Sequence, residues 1–355
     1  MDNKITKRRL SDFLAYEWIL MIIIAVVAIV VWEFVYTVGS VRLTTGQQFK
    51  FYYDQTISSS GMGKLYSLMK SDNGNDEDDV FSYDVLSLDS ESLTSQYNVL
   101  SVRLSVQEGD IVITDCKEPA DDAEDKSIRA KTIIDGMYGY SYNQMLKDAK
   151  IYLRDNFLKD SLKTTDDYAA NPDADLDAAT LYQNLDEAKI ESHFRTRMRK
   201  DNRFRSEQQK VEGVKLEKAR IEKLCKEVKD FEKLLGFEST RPDLFFKYTK
   251  YEQTMNSVEK QEDKDAYQRL VNKEVAEGRG NNIYGLKIEN LNKDASGAPF
   301  DKKTNPTEYF KYMGADNAKD VVVLAFNFWS YQYDLQFETI SFINAIVRDC
   351  STILD

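Results

Sequence analysis

Apolar and polar residues alternate along this chain in three different ways, and each way predicts a different kind of element. From Ile19 to Val31 every residue is apolar, and Trp32 to Val38 prolongs the run with a single charge, Glu33. Residues 18–38 make about 20 positions, which at 1.5 Å per residue matches the roughly 30 Å hydrocarbon core of a bilayer. Trp18 and Trp32, with Tyr16 and Tyr36, stand where amphipathic rings prefer the headgroup region.

Short apolar runs come next. "FKFYY" (49–53) reads as an aromatic strand, followed by a short helix at Lys64–Met69 and a polar loop at 71–79. "FSYDVLSL" (81–88) reads as a strand, about Ser90 to Val106 as a helix, and "DIVITD" (110–115) as a strand covered on both faces, as in a parallel sheet. Strand, helix and strand in that order predict a βαβ unit.

From Tyr142 the period changes to that of helices. Met145, Leu146, Ala149, Leu153, Phe157 and Leu158 recur three and four apart. A longer helix is predicted from about Leu176 to Leu235, its second half repeating Ile221, Leu224, Val228, Phe231 and Leu235, with Gly236 as a stop. "STRPDLFFKY" predicts a helix restarting at Ser239 or Thr240, with Pro242 near its first turn. Strand character returns at "IYGLKIENL" (283–291) and "DVVVLAFNF" (320–328), with a short helix between them at "PTEYFKYMG", and Leu335–Ile353 predicts an amphipathic helix.

The pattern as a whole predicts an α/β fold with a large helical insertion behind a single N-terminal transmembrane helix. The expected parts are a basic tail (1–17), a membrane span (18–38), a first α/β half (39–139), an antiparallel helical subdomain (140–278) and a second α/β half (279–355).

Charge gives the span a direction. Lys4, Lys7, Arg8 and Arg9 precede it, and the first basic residue after it is Arg42, so the positive-inside rule places the N-terminus in the cytoplasm and the long C-terminal part outside. A cleaved secretory signal with "VGS" (38–40) as its cleavage site fits the same stretch. Glu33 and its aromatic neighbours make a poor cleavage region, which favours a retained anchor. Both readings export residues 40–355.

The net charge of −12 and this placement argue against nucleic acid as a partner. Residues 71–125 are strongly acidic and residues 189–233 basic, the latter including Arg195, Arg197, Arg199, Arg203 and Arg205, a basic patch for acidic wall polymers, lipid headgroups or the acidic part of the chain itself. Cys116, Cys225 and Cys350 are far apart and odd in number, which allows at most one internal disulfide and suits three buried thiols; no metal-ligand spacing exists among them.

Three stretches carry a resemblance. "LSVQEGDIVITD", "IYGLKIEN" and "DVVVLAFNF" with its following helix resemble parts of the extracellular solute-binding proteins of ABC importers, and the whole resembles membrane-anchored surface proteins of Gram-positive gut bacteria. The resemblance implies a sugar or peptide ligand beyond the carboxyl ends of parallel strands, near Asp115, Trp329, Tyr331 and Tyr333.

Enzyme chemistry finds little footing. The one histidine, His193, reads as a solvated helix residue, and there is no phosphate-binding loop or dinucleotide fingerprint. "DADLDAATLYQN" (173–184) has the first oxygens of a calcium loop but Ala178 and Asn184 where Gly and Glu are needed. No cofactor or metal is expected. The sequence therefore predicts a non-catalytic interaction or scaffold module of the cell envelope, with Ile221, Leu224, Val228, Phe231 and Leu235 as a surface for a protein partner or a second copy. The alternative is an anchored solute-binding receptor.

Overall fold

The structure, a computed structural model, describes residues 7–39, 48–53, 87–92, 109–120, 127–137, 140–159, 182–277, 282–309, 319–325 and 335–355. Two units form, Met1–Arg42 and Leu43–Asp355. The first contains one unbroken helix, α1 (Lys7–Gly39), and within it Trp18–Tyr36 is long and apolar enough to cross a membrane, with none of its residues buried.

The second unit is a mixed α/β structure. Its strands are β1 (Gln48–Tyr53), β2 (Ser87–Ser92), β3 (Ile111–Asp115), β4 (Phe245–Tyr248), β5 (Asn282–Lys287) and β6 (Val321–Ala325). Its helices are α2 (Arg129–Met137), α3 (Tyr142–Phe157), α4 (Glu187–Arg197), α5 (Glu207–Gly236), α6 (Glu252–Ser257), α7 (Gln261–Ala276) and α8 (Leu335–Cys350). The strands form one sheet in the order β2-β1-β3-β6-β5-β4. β1 runs parallel to both β2 and β3, whereas β6 is antiparallel to β3 and β5, and β4 to β5.

Alternation along the strands builds two cores. Ile111, Ile113, Val321, Val323 and Ala325 face α3, α5 and α8, while Val112, Val322, Leu324, Tyr284 and Phe246 face Ala130, Ile133 and Ile134 of α2. Strands packed on both sides need apolar residues at successive positions, which is why "IVIT" and "VVVLA" read as continuous runs. Tyr142 pins α3 to the centre of the sheet: it is fully buried, and its hydroxyl donates to the Val323 carbonyl at 2.6 Å.

Four expectations change. The helix expected from Leu176 to Leu235 is two helices among the described residues, because Asp201 caps a 3-10 turn and Ser206 with Gln209 forms a capping box that starts α5 afresh. α4 and α5 then lie antiparallel, with Glu187 bonded to Lys218 and Arg195 to Glu207. "STRPDLFFKY" does not restart a helix: Pro242 opens a single 3-10 turn and Phe245–Tyr248 pairs with β5. Ser90–Glu91–Ser92 belongs to β2 rather than to a helix, since the strand pairs residue for residue with β1. The span 140–278 is accordingly not a purely helical subdomain, for it supplies β4 to the sheet and its helices close the same core as the strands. The helix expected at 64–69 and the loop at 71–79 lie outside the described residues, as do the calcium-like residues 173–181.

Gly213 shows how closely α4 and α5 approach. A methyl group there would sit 2.2 Å from Cζ of Phe194 and 2.8 Å from Cε1 of Phe204, two rings already packed edge to face at 5.0 Å. Replacing a mid-helix glycine by alanine ordinarily gains about 1 kcal/mol of helix propensity. Here overpacking of about 1–3 kcal/mol outweighs it. Gly213→Ala is expected to lower the thermal midpoint, and an unchanged or higher midpoint would refute the close approach.

Candidate functional site

Of the residues expected to form a ligand site, Asp115 is the one among the described residues. Asp115 ends β3, where its carboxylate accepts from the Lys117 amide at 2.5 Å. In the antiparallel register Asp115 stands opposite Val321, the first residue of β6, while Ala325 stands opposite Ile111. The chain therefore leaves β6 at the end of the sheet where β3 begins, a strand length from Asp115. Carboxyl ends share one edge only when strands are parallel, and β6 is not. Trp329, Tyr331 and Tyr333 lie outside the described residues.

What does gather beside Asp115 is Cys116, whose amide donates to the Asp320 carbonyl at 2.8 Å, at the point where Asp320 adopts a left-handed backbone. Burial pushes the Cys116 thiol up to about 12, against the lowering influence of Lys287. Burial likewise raises Cys225 to about 12 and raises Cys350 above its ordinary value. All three are unbonded thiols. The thiolate is the reactive form, so raised values mean inert sulfur. An aromatic disulfide reagent at pH 8 is expected to titrate the native chain slowly and all three thiols at once in guanidinium; rapid native labelling of one cysteine would contradict this.

The apolar seam expected to dock a partner is interior. Ile221, Leu224, Val228, Phe231 and Leu235 are 0%, 3%, 1%, 0% and 9% exposed, and all belong to the core that α5 shares with α3 and α8. Ring packing of Phe231 on Tyr142, with centroids 5.4 Å apart, ties the seam to α3. A 3-4-3-4 repeat marks an apolar stripe but not what covers it, and here the chain's own helices cover it.

The basic patch is largely paired within the chain. Arg195 binds Glu191 at 2.7 Å and Glu207 at 3.0 Å, Arg197 donates to Glu217 at 2.7 Å, and Arg203 binds Asp201 at 2.8 Å while lying over the Phe204 ring. Arg199 and Arg205 are exposed. The acidic partners come from α4, α5 and the turn between them.

His193 is wedged among helices rather than solvated. Its Nε2 lies 3.1 Å from the Tyr152 hydroxyl on α3, its ring meets Phe157 edge-on at 4.9 Å, and its Nδ1 is 3.7 Å from the Glu217 carboxylate on α5. Glu217, with no exposed side-chain surface, also accepts from Arg220, which reaches Glu338 of α8 at 3.4 Å. Two carboxylates and the guanidiniums of Arg197 and Arg220 balance within this cluster. It fixes the register of α4, α5 and α8, as ion pairs do when burial forbids either partner to stand alone.

A second buried group lies further along α5 and α8. Glu227 accepts from Asn344 at 2.7 Å and from Arg348 at 2.7 and 2.9 Å, and Arg348 also reaches Asp230 at 2.6 Å. Pairs 220–338, 227–344 and 230–348 advance together, so α5 and α8 run parallel. Sequence reasoning missed this network because its partners are separated by more than a hundred residues; the polar positions at Glu338, Ser341, Asn344 and Arg348, three and four apart along the helix, were the available signal.

Among the described residues no group of three or more His, Cys, Asp and Glu side chains is arranged to hold a metal ion. Compared with family models, curated proteins and solved structures, the chain matches none.

Proposed function

We propose that the chain is a single-pass membrane protein that displays residues 40–355 outside the cytoplasm as a non-catalytic interaction or scaffold module of the cell envelope. The observation that carries this reading is Trp18–Tyr36, a stretch of α1 apolar but for Glu33 and with no buried residue. A soluble protein does not leave sixteen large apolar side chains of one helix uncovered, because roughly 25 cal/mol per Å² favours their removal from water. Lys4, Lys7, Arg8 and Arg9 on one side orient the span.

The buried charges of the second unit support an interaction role over catalysis. Those on α5, Glu217, Arg220 and Glu227, pair with Arg197 of α4 and with Glu338, Asn344 and Arg348 of α8, and so hold helices in register. The reading of an anchored solute-binding receptor loses its motive with the antiparallel β6. With the Ile221–Leu235 seam interior, the apolar side chains exposed to a protein partner among the described residues of the second unit include Val211 and Leu216 of α5 and Leu270 and Val275 of α7.

Topology is tested with single cysteines. A membrane-impermeant thiol reagent is expected to label Ser40→Cys on intact cells and to miss Asn3→Cys until the cells are opened. The native thiols give little background, for the reason set out above. Labelling of position 3 on intact cells, or loss of the N-terminal peptide from the mature protein, would refute the retained anchor.

A further inference from the structure

One acidic residue, Glu33, stands inside the apolar span. Ile19–Val31 alone covers about 20 Å at 1.5 Å per residue, short of the roughly 30 Å that a bilayer interior requires. The stretch of α1 long and apolar enough to cross, Trp18–Tyr36, extends past Val31 and takes in Glu33. α1 stays helical through this region to Gly39, and Glu33 is exposed on it, one turn from Ile29, Val30 and Tyr36.

A carboxylate in hydrocarbon is costly unless another group bonds to it. No Lys, Arg or His occurs between Arg9 and Arg42, so α1 brings no counter-charge of its own to this depth. Acyl chains offer none. A second copy of α1 in parallel register would place Glu33 against Glu33, like charge against like. Charge complementarity calls instead for a cation. Resting on the anchored reading above, we propose that the face of α1 around Glu33 docks a transmembrane helix of another protein that carries a lysine or arginine at the same depth.

Such a pair acts as glue where apolar burial cannot, since lipid tails are as apolar as the helix. It would select a partner by the position of its cation, and the folded second unit would be held beside that partner whatever its own surface does. Glu33 would then be a partner-binding residue, and the span more than a tether.

The test uses the full chain in phosphatidylcholine vesicles and a synthetic polyleucine helix with one lysine four residues from one end, against an all-leucine helix as control. Energy transfer between labelled chain and labelled helix reports association. The expected result is binding about tenfold tighter to the lysine helix, the size that interhelical polar contacts reach in membranes, with Glu33→Gln reducing it to the control. Equal transfer to both helices, or a preference that survives Glu33→Gln, would overturn the proposal. So would transfer between two labelled copies of the chain that Glu33→Gln abolishes, which would give the face to a second copy. Flotation separates the two readings: a chain that fails to float with the vesicles overturns the anchor and the docking together, whereas a chain that floats without discriminating overturns the docking alone.

Discussion

Phe231→Ala is expected to lower the unfolding free energy of the detergent-solubilised chain by about 3–5 kcal/mol, the usual cost of emptying a buried aromatic site. The ring has no exposed surface, stacks on Tyr142 and lies where α5 meets α3. Both neighbours are fixed from elsewhere: Tyr142 by its bond to Val323, α3 by the Ser141 cap that accepts from the Gln144 amide. The site therefore cannot collapse to fill the gap, and the loss should fall toward the upper part of that range. Urea unfolding followed by tryptophan-independent far-ultraviolet dichroism would measure it. A seam that served a partner instead would behave differently, with stability nearly unchanged and sedimentation altered. Wild-type stability in the Phe231→Ala chain would return Ile221–Leu235 to the list of surfaces.

The same seam shows what a sequence can and cannot tell. Its spacing announces a helix with an apolar stripe, and α5 is that helix. Whether the stripe meets the chain's own sheet or another molecule depends on residues far away, here on Phe342, Ile346 and Val347 of α8 and on α3. β3 and β6 were legible because unbroken Val and Ile runs have few other uses at that length. β4 was not, because Pro242 after Ser and Thr is also how a helix begins; only pairing of Phe245 with Leu286 across the sheet decides the matter. The break before α5 was written locally, in Ser206 and Gln209 at cap spacing, and was overridden by the apolar periodicity on either side. What the sequence could not supply for the ligand site is strand direction. Asp115 and the end of β6 look alike as strand ends, and only strand direction separates them.

The register of α5 against α8 is tied to buried charges, and Arg348→Ala is the substitution that exposes this. Arg348 is about a third exposed, but its main partner, Glu227, is 4% exposed. Removing the guanidinium leaves that carboxylate with the Asn344 amide alone. Breaking one side of a buried pair costs about 3–5 kcal/mol, because the remaining charge keeps its desolvation penalty and loses its compensation. Arg348→Lys should recover part of the loss, since an ammonium supplies charge but not the two-pronged contact to both Glu227 oxygens. Urea unfolding of the wild-type, Arg348→Ala and Arg348→Lys chains at pH 7 measures both deficits. A loss below about 1 kcal/mol in Arg348→Ala, the worth of an exposed ion pair, would mean that α5 and α8 are held together by their apolar contacts alone.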